Sequence, residues 1–105
     1  MSIEVTEQNF EAEVLSVSVP VLVDFGAKWC GPCGKLSPVL DEIETTLAEK
    51  VKVVKVDADA NRGLLQQYSV SGLPSLLVFK NGEPVERMAG LVPKSTIISN
   101  VEKHI

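Results

Sequence analysis

Two thiols carry most of the chemistry open to this chain. Cys30 and Cys33 are the only cysteines in 105 residues, set two residues apart in Trp29-Cys30-Gly31-Pro32-Cys33. The motif follows an apolar, strand-like run over residues 19–25 and opens a helix-like run over 36–47. A Cys-x-x-Cys at a strand-to-helix junction reads as a dithiol redox device. Disulfide exchange needs a thiolate, and a free cysteine of pKa ~8.5 is mostly protonated near neutrality. At a helix N-terminus, unpaired N–H groups and the positive end of the dipole favour the anion. Pro32 suits that place, because its missing N–H would go unpaired anyway. Cys33, three residues after Cys30, falls on the same side of the helix, so the pair can close without large backbone motion. Cys30 is expected to be the more exposed thiol, and so the nucleophile. Cys33 is then the resolving thiol that expels the reduced substrate.

Other uses of the cysteines fit less well. A zinc site takes about four ligands, and the chain adds only His104, expected to be a solvated residue at a helix end. Asp24 is the next reactive candidate. It interrupts the apolar run Val21-Leu22-Val23-Asp24-Phe25 and shares a face with Leu22 and Gly26. If the strand is covered on both sides, burial raises its pKa and makes it a proton acceptor for Cys33. If it sits at a frayed end, it is merely solvated. Lys55, on the neighbouring strand candidate, could pair with Asp24 or stand in solvent beside Asp57.

The elements that position these groups can be read in order. Residues 3–5 form a short strand candidate. Thr6 can cap a helix carrying Phe10, Val14 and Leu15, ending near Val17. Residues 21–25, unbroken and β-branched, suit a central strand of a largely parallel sheet. The next helix puts Leu36, Leu40, Ile43 and Leu47 on one face, with a kink expected at Pro38 and a weak start at Gly34. Residues 51–57 form a strand, and Asn61 is placed to cap a short helix through Leu64, Leu65 and Tyr68. A turn at 71–74 leads to the strand 75–79. Asn81-Gly82 favours a type I′ hairpin into an edge strand over 84–88, where Pro84 is tolerated. Ile97, Val101 and Ile105 share a face of a last helix starting at Pro93 or Lys94. The order β-α-β-α-β-α-β-β-α makes an α/β fold: a mixed five-stranded sheet flanked by four helices. One domain over residues 1–105 is expected.

Composition narrows the function. With 45% apolar and 23% charged residues, the chain can bury a working core. A net charge of −4 argues against nucleic acid, which asks for a basic face. No stretch nears the ~20 apolar residues of a membrane span. Met1-Ser2-Ile3-Glu4 lacks the pattern of a secretory leader. A cytoplasmic chain is expected, where a disulfide is more often catalytic than structural. No extra apolar helix face is visible, so a monomer is expected.

The chain resembles the thioredoxin family over essentially its whole length. The resemblance rests on residues 21–25, Trp29-Cys30-Gly31-Pro32-Cys33, Pro38, Gly72-Leu73-Pro74, Phe79-Lys80-Asn81-Gly82 and Gly90, in family order and spacing. It implies the thioredoxin fold and protein-disulfide reduction by exchange at Cys30 and Cys33, with no bound cofactor. It also implies recharging by a thioredoxin reductase that uses NADPH or ferredoxin, Asp24 as proton acceptor, and Lys55 as its partner. Pro74, which as an ordinary turn proline would be trans, is implied to be cis and to face the disulfide. Trp29, Gly31, Pro32, Leu73, Pro74, Ala89 and Gly90 would then form a shallow apolar substrate rim, although Trp29 could equally be a packing residue. Two positions depart from the family pattern. Gly26 stands where a bulky aromatic, often Trp, is usual, and Gly34 where a basic residue is common. Two rival readings remain. One is a disulfide oxidase or isomerase, against which the Gly-Pro between the cysteines argues. The other is a binding module of the same fold with an incidental dithiol.

Overall fold

The computed structural model of the chain describes residues 3–105. Met1 and Ser2, part of the leader reading, lie outside the described residues. The strands are β1 (Ile3–Glu4), β2 (Val21–Gly26), β3 (Lys52–Asp57), β4 (Ser75–Lys80) and β5 (Glu83–Ala89), and the helices are α1 (Gly31–Leu47), α2 (Arg62–Gln67) and α3 (Lys94–Glu102). The strands form one sheet in the order β1-β3-β2-β4-β5. β3 runs parallel to both β1 and β2, whereas β4 is antiparallel to β2 and β5. β2 is central because it has no face to spare for water: Val21 to Phe25 are all buried.

Alternation along the strands splits the core into two layers. Leu22, Val53, Leu76 and Val78 pack with Leu36, Leu40 and Ile43 of α1 and Ile97 and Val101 of α3. Val23, Phe25, Val54, Val56, Leu77 and Phe79 pack with Phe10, Val14 and Leu64 on the other side. Asp24 and Lys55 belong to the α1 side by the same alternation, and they are register partners across β2 and β3.

The first helical element differs from expectation. It is a five-residue π-type segment, Glu11–Leu15, closed by a bond from the Ser16 N–H to the Glu11 carbonyl. An i→i+5 repeat accommodates the five-residue spacing from Phe10 to Leu15, while the four-residue spacing from Phe10 to Val14 is equally that of an α-helix. Thr6 still organises its entry: its Oγ1 accepts the Gln8 N–H at 3.3 Å, and Asn9 Oδ1 accepts the Thr6 N–H at 2.7 Å. Asn61 stands at the N-terminus of α2 but does not cap it with its side chain. Its Oδ1 accepts the Glu7 N–H at 3.0 Å and its Nδ2 donates to the Asp57 carbonyl at 2.9 Å. At the C-terminus, α3 stops at Glu102 and leaves Ile105 exposed, off the buried face. His104 is not a solvated end residue: its Nε2 lies 2.8 Å from Glu86 Oε2 on β5. Asn81 and Gly82 both take positive φ, 54° and 82°, as a type I′ hairpin demands.

Candidate active site

The ends of β2, β3, β4 and β5 assemble the site by register. Gly26, the last residue of β2, pairs with Asp57, the last of β3. Phe25 pairs with Ser75, the first residue of β4, and Ser75 pairs with Ala89, the last of β5. The connections that follow Gly26, precede Ser75 and follow Ala89 therefore emerge at one edge of the sheet. The bond between Leu73 and Pro74 is cis. The Gly90 N–H donates to the Pro74 carbonyl at 2.8 Å, and Ser75 Oγ donates to the Gly72 carbonyl at 2.6 Å.

Cys30 is the N-cap of α1, with extended backbone, and Pro32 follows in the first turn. Its Sγ accepts the Cys33 N–H at 3.2 Å. The two cysteines form a disulfide with Cα atoms 5.3 Å apart. The expected difference in exposure is absent: Cys30 is 7% exposed and Cys33 8%. The chain crosses between them within a single helical turn, so the closed disulfide shelters both. What separates them is the N–H directed at Cys30.

Asp24 lies below, 5% exposed, and its Oδ1 has no hydrogen-bond partner. Burial pushes its pKa up to about 6, and the Lys55 charge partly opposes the rise. Lys55 donates its own hydrogen bond to Ser37 Oγ on α1, so its ammonium is tied to the helix and acts on Asp24 through its charge. Trp29 is 70% exposed, which removes the alternative of a packing residue. Its Nε1 donates to Asp59 Oδ2 at 2.8 Å. Gly31, Pro32 and Ala89 are exposed, Leu73 and Gly90 are half-buried, and Pro74 is buried. Leu91, next to Gly90, is also exposed.

Three contributors were missed in the sequence. Asp59 follows the end of β3, where no local pattern ties it to Trp29, thirty residues away. Ser37 looked like one more polar helix position. Leu91 follows the Ala89-Gly90 that ends the edge strand and lacks periodicity. Among the described residues no group of three or more His, Cys, Asp or Glu is placed to hold a metal ion, and no helix is long and apolar enough to cross a membrane.

Comparison with known proteins decides the family. The thioredoxin family profile matches residues 1–103. The chain belongs to the thioredoxin family. It is 47% identical to thioredoxin 1 of Nostoc sp. over 97% of this chain and 95% of that protein. It is 46% identical to thioredoxin 1 of Synechococcus elongatus over 96% and 94%. The chloroplastic M-type thioredoxin of Chlamydomonas reinhardtii is 44% identical over 96% of this chain and 72% of that protein. As a thioredoxin the chain is a thiol–disulfide oxidoreductase, a protein-disulfide reductase, and its redox-active group is the Cys30–Cys33 disulfide. Thioredoxins act on protein disulfides and are recharged by thioredoxin reductases.

Proposed function

We propose that Cys30 is the attacking thiol and Cys33 the resolving thiol of this thioredoxin. The Cys33 N–H directed at Cys30 Sγ is the observation that carries the assignment. The Cys30 thiolate attacks one sulfur of a protein disulfide, forms a mixed disulfide and releases the first substrate thiolate. Cys33 gives its proton to Asp24 and attacks Cys30 Sγ. The Cys30–Cys33 disulfide forms, the second substrate thiolate leaves, and two electrons have passed to the substrate. A carboxyl titrating near 6 is ionised at neutral pH and close enough in affinity to accept a thiol proton transiently. Lys55 keeps that titration from rising further. Trp29, Gly31, Pro32, Leu73, Pro74, Ala89 and Gly90 form the face that meets the protein substrate, with Trp29 held outward by Asp59. The same face meets an NADPH- or ferredoxin-dependent reductase. The protein acts as a cytoplasmic monomer.

Single-cysteine variants test the order of attack. Cys33→Ser should accumulate a stable mixed disulfide between Cys30 and a protein substrate such as reduced-and-reoxidised insulin, seen on a non-reducing gel. Cys30→Ser should trap none. Trapping through Cys33 alone would reverse the assignment. Loss of reductase activity in Cys30→Ala separates an enzyme from a binding module, which would keep its function.

A further inference from the structure

β5 is the last strand of the sheet, and one of its faces borders a groove. Ala89 pairs with Ser75 and Arg87 with Leu77 on that face, while Met88 turns to the α1 side. Opposite them, the chain leaves α2 through Ser69, at φ 56°, and runs through Ser71 and Gly72 into Leu73 and the cis Pro74. Between the two lies a groove of about 300 Å³, lined in part by Ser69, Ser71, Gly72, Arg87 and Ala89. Among the described residues that line it, Arg87 alone carries a charge. Its Nη2 donates to the carbonyl of Tyr68, the C-cap of α2. That bond holds the guanidinium in place and leaves most of its donors open. Arg87, Ser69 and Ser71 are exposed, and among the described residues no carboxylate of the chain forms an ion pair with Arg87.

We propose that this groove selects protein substrates by charge: it seats an acidic side chain, Glu or Asp, that lies within a few residues of the substrate's reactive cysteine, and Arg87 is its partner. The end of the groove at Gly72 and Ala89 adjoins the face on which the substrate lies, so a chain crossing that face reaches the groove along the surface. Arg87 stands two positions from Ala89 along β5, about 7 Å, a span that a few extended residues cover. A guanidinium fork takes a carboxylate through paired, charge-assisted hydrogen bonds, and the Ser69 and Ser71 hydroxyls can donate to the same group. A lysine in that place would meet Arg87 with like charge, and a neutral side chain would forgo the ion pair. The chain as a whole carries a net charge of −4, which repels acidic segments at large. A preference for acid must therefore come from a local contact, and it depends on where in the substrate the acid sits. The inference rests on the reading that Pro74 and Ala89 meet the substrate.

The test uses the reduced protein and disulfide-linked dimers of a short neutral peptide that holds a single cysteine. Glu, Gln or Lys is placed in turn at each position flanking that cysteine. The rate of reduction of each dimer is normalised to its rate with dithiothreitol. Glu should outpace Gln by about threefold or more at one or two positions, with Lys slowest there, and the gap should narrow at high salt. Arg87→Gln should close the gap, Arg87→Lys should keep part of it, and Arg87→Glu should invert it. Ser71→Glu, which adds a carboxylate to the groove, should close it too. Each ratio is taken within one variant, so a general loss of rate after removal of the Tyr68 contact does not enter the comparison. No preference for Glu at any position, an equal preference at every position, or a preference that survives in Arg87→Gln or in Ser71→Glu would overturn the proposal. Reduction of the Gln peptide reports separately on the dithiol: no reduction at all would overturn the main activity as well, whereas reduction without a charge order would overturn the groove alone.

Discussion

Burial penalises Asp24 only when it is ionised, so its effect on stability depends on pH. In the unfolded chain the carboxyl titrates near ~3.9, and in the fold at about 6. Below the unfolded value both states hold the proton and the penalty is absent. Between about 4 and 6 the unfolded chain ionises first and stability falls as pH rises. Above the folded value the loss is complete, at about 3 kcal/mol for a shift of about two units. Asp24→Asn should therefore stabilise the fold by up to about 3 kcal/mol at pH 7 and by nothing below pH ~4, while slowing resolution of the mixed disulfide. Denaturant titrations across pH measure the first effect and single-turnover kinetics the second; a stability difference that does not vary with pH would sink the account of Asp24. Lys55→Met should move the Asp24 titration above 6, as carboxyl NMR would show. That Asp24 faces Leu22 and Gly26 was legible in the alternation of the strand. The orphaned Oδ1 was not, because partners of a buried oxygen come from elements distant in sequence. The equal shelter of Cys30 and Cys33 was illegible for a related reason: exposure depends on how the closed pair sits against Gly26 and the loops, not on spacing.

Elements carry their own strains. Ala48 closes α1 with φ 46° and ψ −121°, a conformation open to glycine and costly for a residue with a Cβ. Ala48→Gly should stabilise the protein by about 1 kcal/mol, a rise of ~4–8 °C in Tm for a domain of this size. Gly82→Ala should do the opposite by about 1 kcal/mol or more. It loses the freedom that its φ of 82° needs, and its new Cβ would sit 3.4 Å from the Leu15 carbonyl oxygen. Thermal unfolding of the two variants checks both signs, and a lower Tm for Ala48→Gly would remove the strain argument. The hairpin was plain in Asn81-Gly82, since turn chemistry is local. The π-type segment was less so: its apolar positions were legible, but a spacing of four and five residues fits an imperfect α-helix as readily as an i→i+5 turn. The end of α3 was overextended at Ile105, because periodicity does not register that His104 is drawn to Glu86.

At the scale of the molecule, the sheet separates two core layers that share strands but few side-chain contacts. Ile43→Val in the α1 layer and Phe10→Leu in the other should each cost about 1 kcal/mol. Their sum should hold in the double variant to within ~0.5 kcal/mol. A larger coupling would mean that the layers repack together through β2. The same sheet sets the site, since register alone places Gly26, Asp57, Ser75 and Ala89 at one edge. The α/β order and central position of residues 21–25 were readable because continuous apolar strands must be covered on both faces. Asp59 beneath Trp29 and a cavity of about 290 Å³ beside Gly26 emerge only once that edge is assembled. The cavity replaces the bulky aromatic usual in thioredoxins, and Gly26→Trp should raise Tm by filling it, with Cys33 giving way slightly to the new Cβ. The central claim remains that Cys30 and Cys33 work as a reducing dithiol, and their equilibrium reduction potential tests it most directly. Titrated in defined thiol buffers and read from Trp29 fluorescence, it should fall near the ~−270 mV typical of thioredoxins; a value near the ~−120 to −180 mV of oxidants and isomerases would contradict the account.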